Sequence, residues 1–94
     1  MIVKLRARAR ADLREIAAYS AEQHGEAVAA AYLRAIDAVL ERLGDYPELG
    51  EAYGERPGVR RHPVGQHRVY YRRDAEKLSV LRVLHKARDV ARHL

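Results

Sequence analysis

Cationic and imidazole side chains of the kind that cleave a phosphodiester are concentrated after residue 55 of this chain. Cleavage of RNA at a 2′-hydroxyl needs a base, an acid and cations that stabilise the phosphate in the transition state. Arg60, Arg61 and Arg82 are candidate cations, and His67 and His85 are candidate acid–base groups. These five residues are therefore the catalytic candidates if the chain is an enzyme.

Structural roles compete with catalysis at these positions. His85 follows an apolar segment, where a histidine hydrogen-bonded to the backbone is the commoner arrangement, and His67 flanks a predicted turn as a surface or capping residue. Arg82 has a structural alternative in an ion pair with Asp74 or Asp89. The residues alone give no convincing acid–base pair.

Charge is distributed unevenly along the 94 residues. Residues 1–55 carry seven Lys/Arg and ten Asp/Glu, whereas residues 56–94 carry eleven Lys/Arg and three Asp/Glu, so the formal charges are −3 and +8. Such polarity favours an anionic partner, which is either nucleic acid or an acidic protein segment. The alternative is a solvated, arginine-rich surface without a partner.

Composition limits the class of protein. Ninety-four residues predict a single domain spanning 1–94, with enough apolar residues for one modest core. The chain has no Cys, its five His are scattered, and no apolar run has the length of a signal peptide or a membrane span. We therefore expect a cytoplasmic protein without a metal, a cofactor or a membrane partner.

Helical periodicity covers most of the first half of the chain, which contains none of the five catalytic candidates. It predicts one helix over residues 9–23 and a second over 26–43, separated by Gly25 and ended by Gly44. So short a break requires an antiparallel helical hairpin. Within it, Asp12 is interpreted as an early-helix charge, and Tyr19 and Tyr32 as boundary packing residues.

A period of two predicts the strands that carry the candidates, at residues 59–64, 67–73 and 77–85, after a first strand at 2–6. The turn-rich segment 45–58 is predicted as a loop, and 86–94 as a polar tail with one or two helical turns. The order β-α-α-β-β-β predicts an α+β fold, with the helical hairpin on one face of a small antiparallel sheet.

Alternation along the last two strands assigns their faces. Val69, Tyr71, Ser79, Leu81 and Val83 are expected beneath the helices. The outward set is a mixed apolar and cationic patch typical of a protein interface, and it comprises Arg68, Tyr70, Arg72, Leu78, Val80, Arg82 and Leu84. Two alternatives remain, because the tail could fold over this face, and a register error of one residue would exchange the faces.

Five sequence blocks follow one another in a recurring order. They are ARADLREIAAY at 9–19, YPELG at 46–50, GVRR at 58–61, GQHRVYYR at 65–72 and LRVLHKARD at 81–89. These blocks resemble the A-x-x-D-L-x-x-I-x-x-Y signature, the P-x-x-G turn and the iRVLHxxRD ending of ParE-like toxins, a branch of the RelE/ParE superfamily of type II toxin–antitoxin systems. The resemblance covers nearly the whole chain.

The resemblance implies a toxin held inactive by a ParD-like antitoxin. Such an antitoxin has a ribbon-helix-helix part that binds operator DNA, which the toxin reaches only through it, and an acidic C-terminal segment that folds onto the toxin. The outward set, Arg68, Tyr70, Arg72, Leu78, Val80, Arg82 and Leu84, is the expected recipient of that segment.

The resemblance also implies one of two activities. ParE-like members inhibit DNA gyrase by binding, and RelE-like members cleave mRNA on the ribosome with Lys, Arg and a C-terminal Tyr or His. This chain has no Tyr after Tyr71, so gyrase inhibition is favoured over endoribonuclease activity. A non-toxic partner of the antitoxin and a basic nucleic-acid-binding module, with Tyr70 as its one stacking candidate, remain as further alternatives.

Overall fold

The computed structural model describes residues 1–94 and contains two helices, five strands and one short turn of 3₁₀ helix. In chain order they are β1 Ile2–Leu5, α1 Ala7–His24, α2 Glu26–Asp45, β2 Glu51–Ala52, β3 Val59–Val64, β4 His67–Asp74, β5 Lys77–His85 and the 3₁₀ turn Val90–Arg92. The predicted α+β fold is confirmed. The two-residue strand β2 is an addition within the segment that was predicted to be loop.

The helical hairpin turns at Gly25. The backbone there has φ +88°, a value that favours glycine, and the Gly25 N–H closes α1 by donating to the carbonyl of Ala21. Both helices then bury their apolar stripes against one face of the sheet, where Ile16 of α1 and Ile36 and Leu43 of α2 are buried. The predicted antiparallel hairpin is confirmed.

All five strands form one sheet in the order β1-β5-β4-β3-β2. Tight turns join β3 to β4 and β4 to β5, so these three strands form the predicted antiparallel meander. Strand β1 instead pairs parallel with β5, from Ile2 opposite Lys77 to Leu5 opposite Val80. The sheet is therefore mixed, because the helical hairpin returns the chain as a crossover and β1 occupies the edge.

A β-bulge in β5 exchanges its two faces part-way along the strand. Tyr71 lies opposite Val80 and Tyr70 opposite Arg82, which leaves Leu81 as the extra residue. Before the bulge, Leu78 and Val80 point under the helices and are fully buried. The prediction that Leu78 and Val80 face outward was therefore wrong, as was the placement of Ser79 and Leu81 beneath the helices.

A second apolar cluster lies on the face of the sheet away from the helices. It comprises Tyr53, Val59, Tyr70, Leu84 and Val90, with Leu81 and Leu94 packed against it. The C-terminal tail thus covers the outer face, as in the alternative considered for the sequence. The prediction that Tyr70 and Leu84 are exposed was wrong, because both are almost completely buried.

Neither helix combines the length and the apolar content that a bilayer span requires.

Candidate functional site

A cavity of about 560 Å³ lies between the helical hairpin and the second half of β5. It exists because β1 pairs with β5 only as far as Val80, so residues 81–85 have no strand on that side. We call it the docking groove, and its lining consists of Asp12, Glu15, Ile16, Tyr19, Ser20, His24, Val28, Tyr32, Gln66, His67, Val83, Leu84, His85 and Arg88.

Apolar side chains stand exposed on the helical wall of the docking groove. Tyr19 of α1 is 66% exposed and Val28 of α2 is 51% exposed, and both lie close to the turn between the helices. Ile16 and Val83 form a buried apolar floor below them. An apolar groove with exposed aromatic and aliphatic walls is typical of a protein-binding surface. The interpretation of Tyr19 as a boundary packing residue was wrong.

Asp12, which lines the docking groove, forms an ion pair with Arg82. Arg82 donates from Nε and Nη2 to the two carboxylate oxygens of Asp12, each over 2.8 Å. The same carboxylate accepts the backbone N–H of Val83 over 2.9 Å, and Arg82 Nη1 donates to the carbonyl of His93 over 3.0 Å. Hydrogen bonding to Asp12 raises the pKa of Arg82.

The partner of Arg82 was therefore predicted wrongly. Asp74 instead lies within ion-pair distance of Arg72 and Arg6, and Asp12 takes the place expected for Asp74 or Asp89. The interpretation of Asp12 as a simple early-helix charge is corrected as well, because its side chain is only 7% exposed. Nothing in the spacing of two residues that lie 70 positions apart indicated the pair.

Two of the catalytic candidates meet in the docking groove. The rings of His67 and His85 are 5.3 Å apart in an edge-to-face arrangement, and the Tyr32 hydroxyl lies 2.6 Å from Nδ1 of His67. Nδ1 of His85 accepts the backbone N–H of Ala87 over 3.0 Å, as in the backbone-bonded alternative. Burial, followed by the nearby charge of His85, lowers the pKa of His67.

The candidate cations do not join this histidine pair. Arg60 donates to the carbonyl of Gly50 over 2.7 Å, and Arg61 pairs with Glu51 over 2.8 Å. Val64 of β3 lies opposite His67, and Arg60 lies four residues before Val64 on the same strand. Four residues of strand span roughly 13 Å, so Arg60 is far from the histidine pair. The five catalytic candidates are thus divided among separate parts of the sheet.

The residues predicted to bind an antitoxin do not form one open surface. Leu78 and Val80 lie under the helices, Tyr70 and Leu84 lie under the tail, and Arg82 is held by Asp12. Arg68 and Arg72 remain partly exposed on the outer face. The bulge and the tail are responsible, and neither has a signal in the alternation of residue types.

Comparison with known proteins gives one consistent family. A family model described as ParE toxin of type II toxin-antitoxin system, parDE, matches residues 3–90. Toxin ParE1 of Caulobacter vibrioides is 36% identical over 92 residues, which cover 97% of this chain and 95% of the relative. Toxin ParE1 of Mycobacterium tuberculosis is 38% identical over 88 residues, which cover 92% and 90%.

Solved structures with the same fold include toxin–antitoxin proteins. A chain from a structure titled chromosomal ParDE TA system from P. aeruginosa superposes with a TM-score of 0.81 at 23% identity, covering 90% of this chain and 95% of its own. A chain of the toxin-antitoxin complex RelBE2 from Mycobacterium tuberculosis superposes with a TM-score of 0.60 at 25% identity, covering 90% and 96%.

Proposed function

The chain belongs to the ParE toxin family of type II toxin–antitoxin systems, and on that premise we propose that it arrests growth by binding DNA gyrase. A ParD-like antitoxin neutralises it in this proposal. The alternative within the superfamily is ribosome-dependent cleavage of mRNA, and the two activities make different demands on the structure.

The state of the arginines supports a binding toxin over a ribonuclease. Arg60, Arg61 and Arg82 are each engaged by a carbonyl or a carboxylate of the protein itself. The His67–His85 pair has Arg88 as the one Lys or Arg in the same groove. Phosphodiester cleavage requires acid, base and cations around one phosphate, and this arrangement does not assemble them.

The docking groove is the proposed antitoxin site. It offers a partner the exposed walls at Tyr19 and Val28 and the free half of β5, and the similar folds come from structures titled as toxin–antitoxin systems. A segment that orders on binding needs such apolar contact area to offset its loss of conformational entropy. Of the set predicted from sequence, Arg68 and Arg72 remain candidate contacts for its acidic residues, whereas Tyr70 and Leu84 would first require displacement of the tail.

Induction of the chain without an antitoxin tests the proposed activity. We expect growth arrest with broken chromosomal DNA and intact mRNA, and the purified chain should inhibit supercoiling by gyrase in vitro. Co-expression of a ParD-like protein should restore growth. Cleavage of mRNA before any DNA damage would support the ribonuclease alternative, and normal growth after induction would contradict both activities.

A further inference from the structure

Four arginines surround a second cavity, of about 270 Å³, beside the C-terminal tail. We call it the arginine cup and define it by Arg6, Arg8, Arg56 and Arg82 around Leu81. Arg6 and Arg8 come from the junction of β1 and α1, Arg56 from the segment before β3, and Arg82 from β5. No Asp or Glu lines this cavity, but Asp12 pairs with Arg82 and Asp74 lies 3.5 Å from Arg6, so the uncompensated positive charge is carried by Arg8 and Arg56.

All four guanidinium groups retain unused hydrogen-bond donors, and three of them use at most one nitrogen within the chain. A guanidinium carries five N–H groups. Arg82 uses three nitrogens on Asp12 and the His93 carbonyl, whereas Arg56 donates only to the backbone oxygen of Leu94 and Arg6 only reaches Asp74 at 3.5 Å. The side chain of Arg8, in the first turn of α1, makes no hydrogen bond or ion pair within the chain. The cup can therefore donate several charge-assisted hydrogen bonds to an added oxyanion.

The positive charge continues beyond the cup along the outer face of the sheet. Lys4 alternates with the core residues of β1, and Arg68 and Arg72 alternate with the core residues of β4, so all three lie opposite the helices. Arg72 pairs with Asp74 there, so Lys4 and Arg68 carry the charge that is not compensated. A line of cations with few apolar anchors suits a polyanionic backbone more than a folding protein segment. The docking groove has the contrasting composition, with apolar walls and mixed charge.

We propose that the arginine cup binds a backbone phosphate of duplex DNA. This inference rests on the proposed function, because the duplex that we have in mind is the DNA held by gyrase. The toxin then contacts both gyrase and the bound DNA, with the outer arginines neutralising phosphates beside the protein–protein contact. This contact is independent of base sequence and separate from operator recognition by an antitoxin.

Binding of the whole chain to a short labelled DNA duplex tests the cup directly. With about three phosphates neutralised, the logarithm of the binding constant should fall against the logarithm of salt concentration with a slope of about −3 between about 50 and 200 mM. The double substitution Arg8→Gln and Arg56→Gln should reduce that slope by about two and weaken binding on the order of tenfold at low salt.

The matched control is Arg34→Gln with Arg42→Gln, which removes the same charge from exposed positions of α2 on the opposite side of the sheet. Binding should be nearly unchanged in this control. An equal loss of duplex binding in both double variants would show that DNA is attracted by net charge alone, and would contradict the proposal that the arginine cup binds phosphate. If loss of the Arg56 contact disturbs the tail, Arg8→Gln alone keeps the test valid, and Arg8→Lys should restore most of the binding.

Competitors identify the source of the phosphate. Inorganic phosphate or a mononucleotide that displaces the duplex at equal phosphate concentration would overturn the assignment to DNA, as would tighter binding of single-stranded RNA. A ParD-like antitoxin that loses as much affinity for the cup variant as the duplex does would assign the cup to an acidic protein segment and overturn the proposal.

A gyrase supercoiling assay on the same proteins separates the two proposals. If the chain inhibits gyrase without binding the duplex, the proposal for the arginine cup is contradicted and the proposed function is not affected. A chain that binds the duplex through the cup without affecting gyrase contradicts the proposed function alone.

Discussion

Asp12 on α1 and Arg82 on β5 form a bidentate ion pair between residues 70 positions apart in the chain, with both N–O distances at 2.8 Å. The pair lies where β1 ends, and it joins the first helix to the part of the sheet that has no strand beside it. Arg82 also reaches the carbonyl of His93, so one guanidinium connects the hairpin, the sheet and the tail.

Replacement of Arg82 with Ala should destabilise the fold strongly. It leaves the Asp12 carboxylate buried without its counter-ion, which costs about 3 kcal/mol of the unfolding free energy. Urea denaturation measures the loss, and a double-mutant cycle with Asp12→Ala isolates the coupling. Glu51→Ala is the control, because the Glu51 side chain is 68% exposed and its pair with Arg61 should contribute less than about 1 kcal/mol. A loss of that small size for Arg82→Ala would refute the structural role.

Removal of the Tyr71 hydroxyl should loosen the turn after α2. That hydroxyl accepts the N–H of Gly50 over 2.9 Å and donates to the carbonyl of Pro47 over 2.7 Å, and so holds both ends of the Pro47–Gly50 turn. Tyr71→Phe leaves a buried N–H without a partner and should lower the unfolding free energy by about 2 kcal/mol. Tyr46→Phe removes a hydroxyl from an exposed ring and should change stability little; equal effects in the two variants would contradict this account.

Acid should destabilise the chain through His67. Burial and the nearby charge of His85 lower the pKa of His67 below its ordinary value of 6.5, so the folded state binds a proton less readily than the unfolded state. The associated stability is fully present above pH 6.5 and is lost as the pH falls through the folded pKa. Unfolding free energies at about pH 7.5 and about pH 5.5 should show this decline.

His67→Gln should flatten that pH dependence, because it removes the titrating group. His24→Gln, at an exposed position of α1, should leave the dependence as it is. A direct NMR titration that places the pKa of His67 at or above 6.5 would contradict this prediction.

Truncation of the groove walls should weaken the antitoxin without unfolding the toxin. Tyr19→Ala and Val28→Ala remove exposed apolar contacts, and an aromatic anchor of this kind contributes about 2 kcal/mol or more, which is on the order of a 30-fold change in Kd. Calorimetric titration with a ParD-like protein measures the change. Tyr46→Ala is the control, since Tyr46 is equally exposed and lies outside the groove. Unchanged affinity in the groove variants would place the antitoxin elsewhere.

Local patterns were sufficient to predict most of the elements of this fold. The hairpin at Gly25 and the bounds of β3 and β5 agree with the structure, because apolar period and turn residues report local geometry. The parallel pairing of β1 with β5 and the pairing of Asp12 with Arg82 depend on contacts between the two ends of the chain. A single sequence carries no local signal for either.

The candidate site was harder to predict, because a single bulge residue determines which side chains of β5 face the helices. The extra residue Leu81 reverses the alternation halfway along β5, so Leu78 and Val80 were assigned to the wrong face although their apolar character was read correctly. The tail then covers Tyr70 and Leu84 through Val90, whose contact depends on the fold of the whole outer face.

The short length of β1 has a consequence for the chain while it is without a partner. A sheet edge without a neighbour is a template on which a second chain can add a strand, and this is a common route to aggregation. On the free half of β5, the N–H of Val83 already donates to the Asp12 carboxylate, so this donor is not available to the carbonyl oxygens of an approaching strand. This hydrogen bond to Asp12 thus makes the exposed edge of β5 less able to pair with a second copy of the chain before a partner covers it.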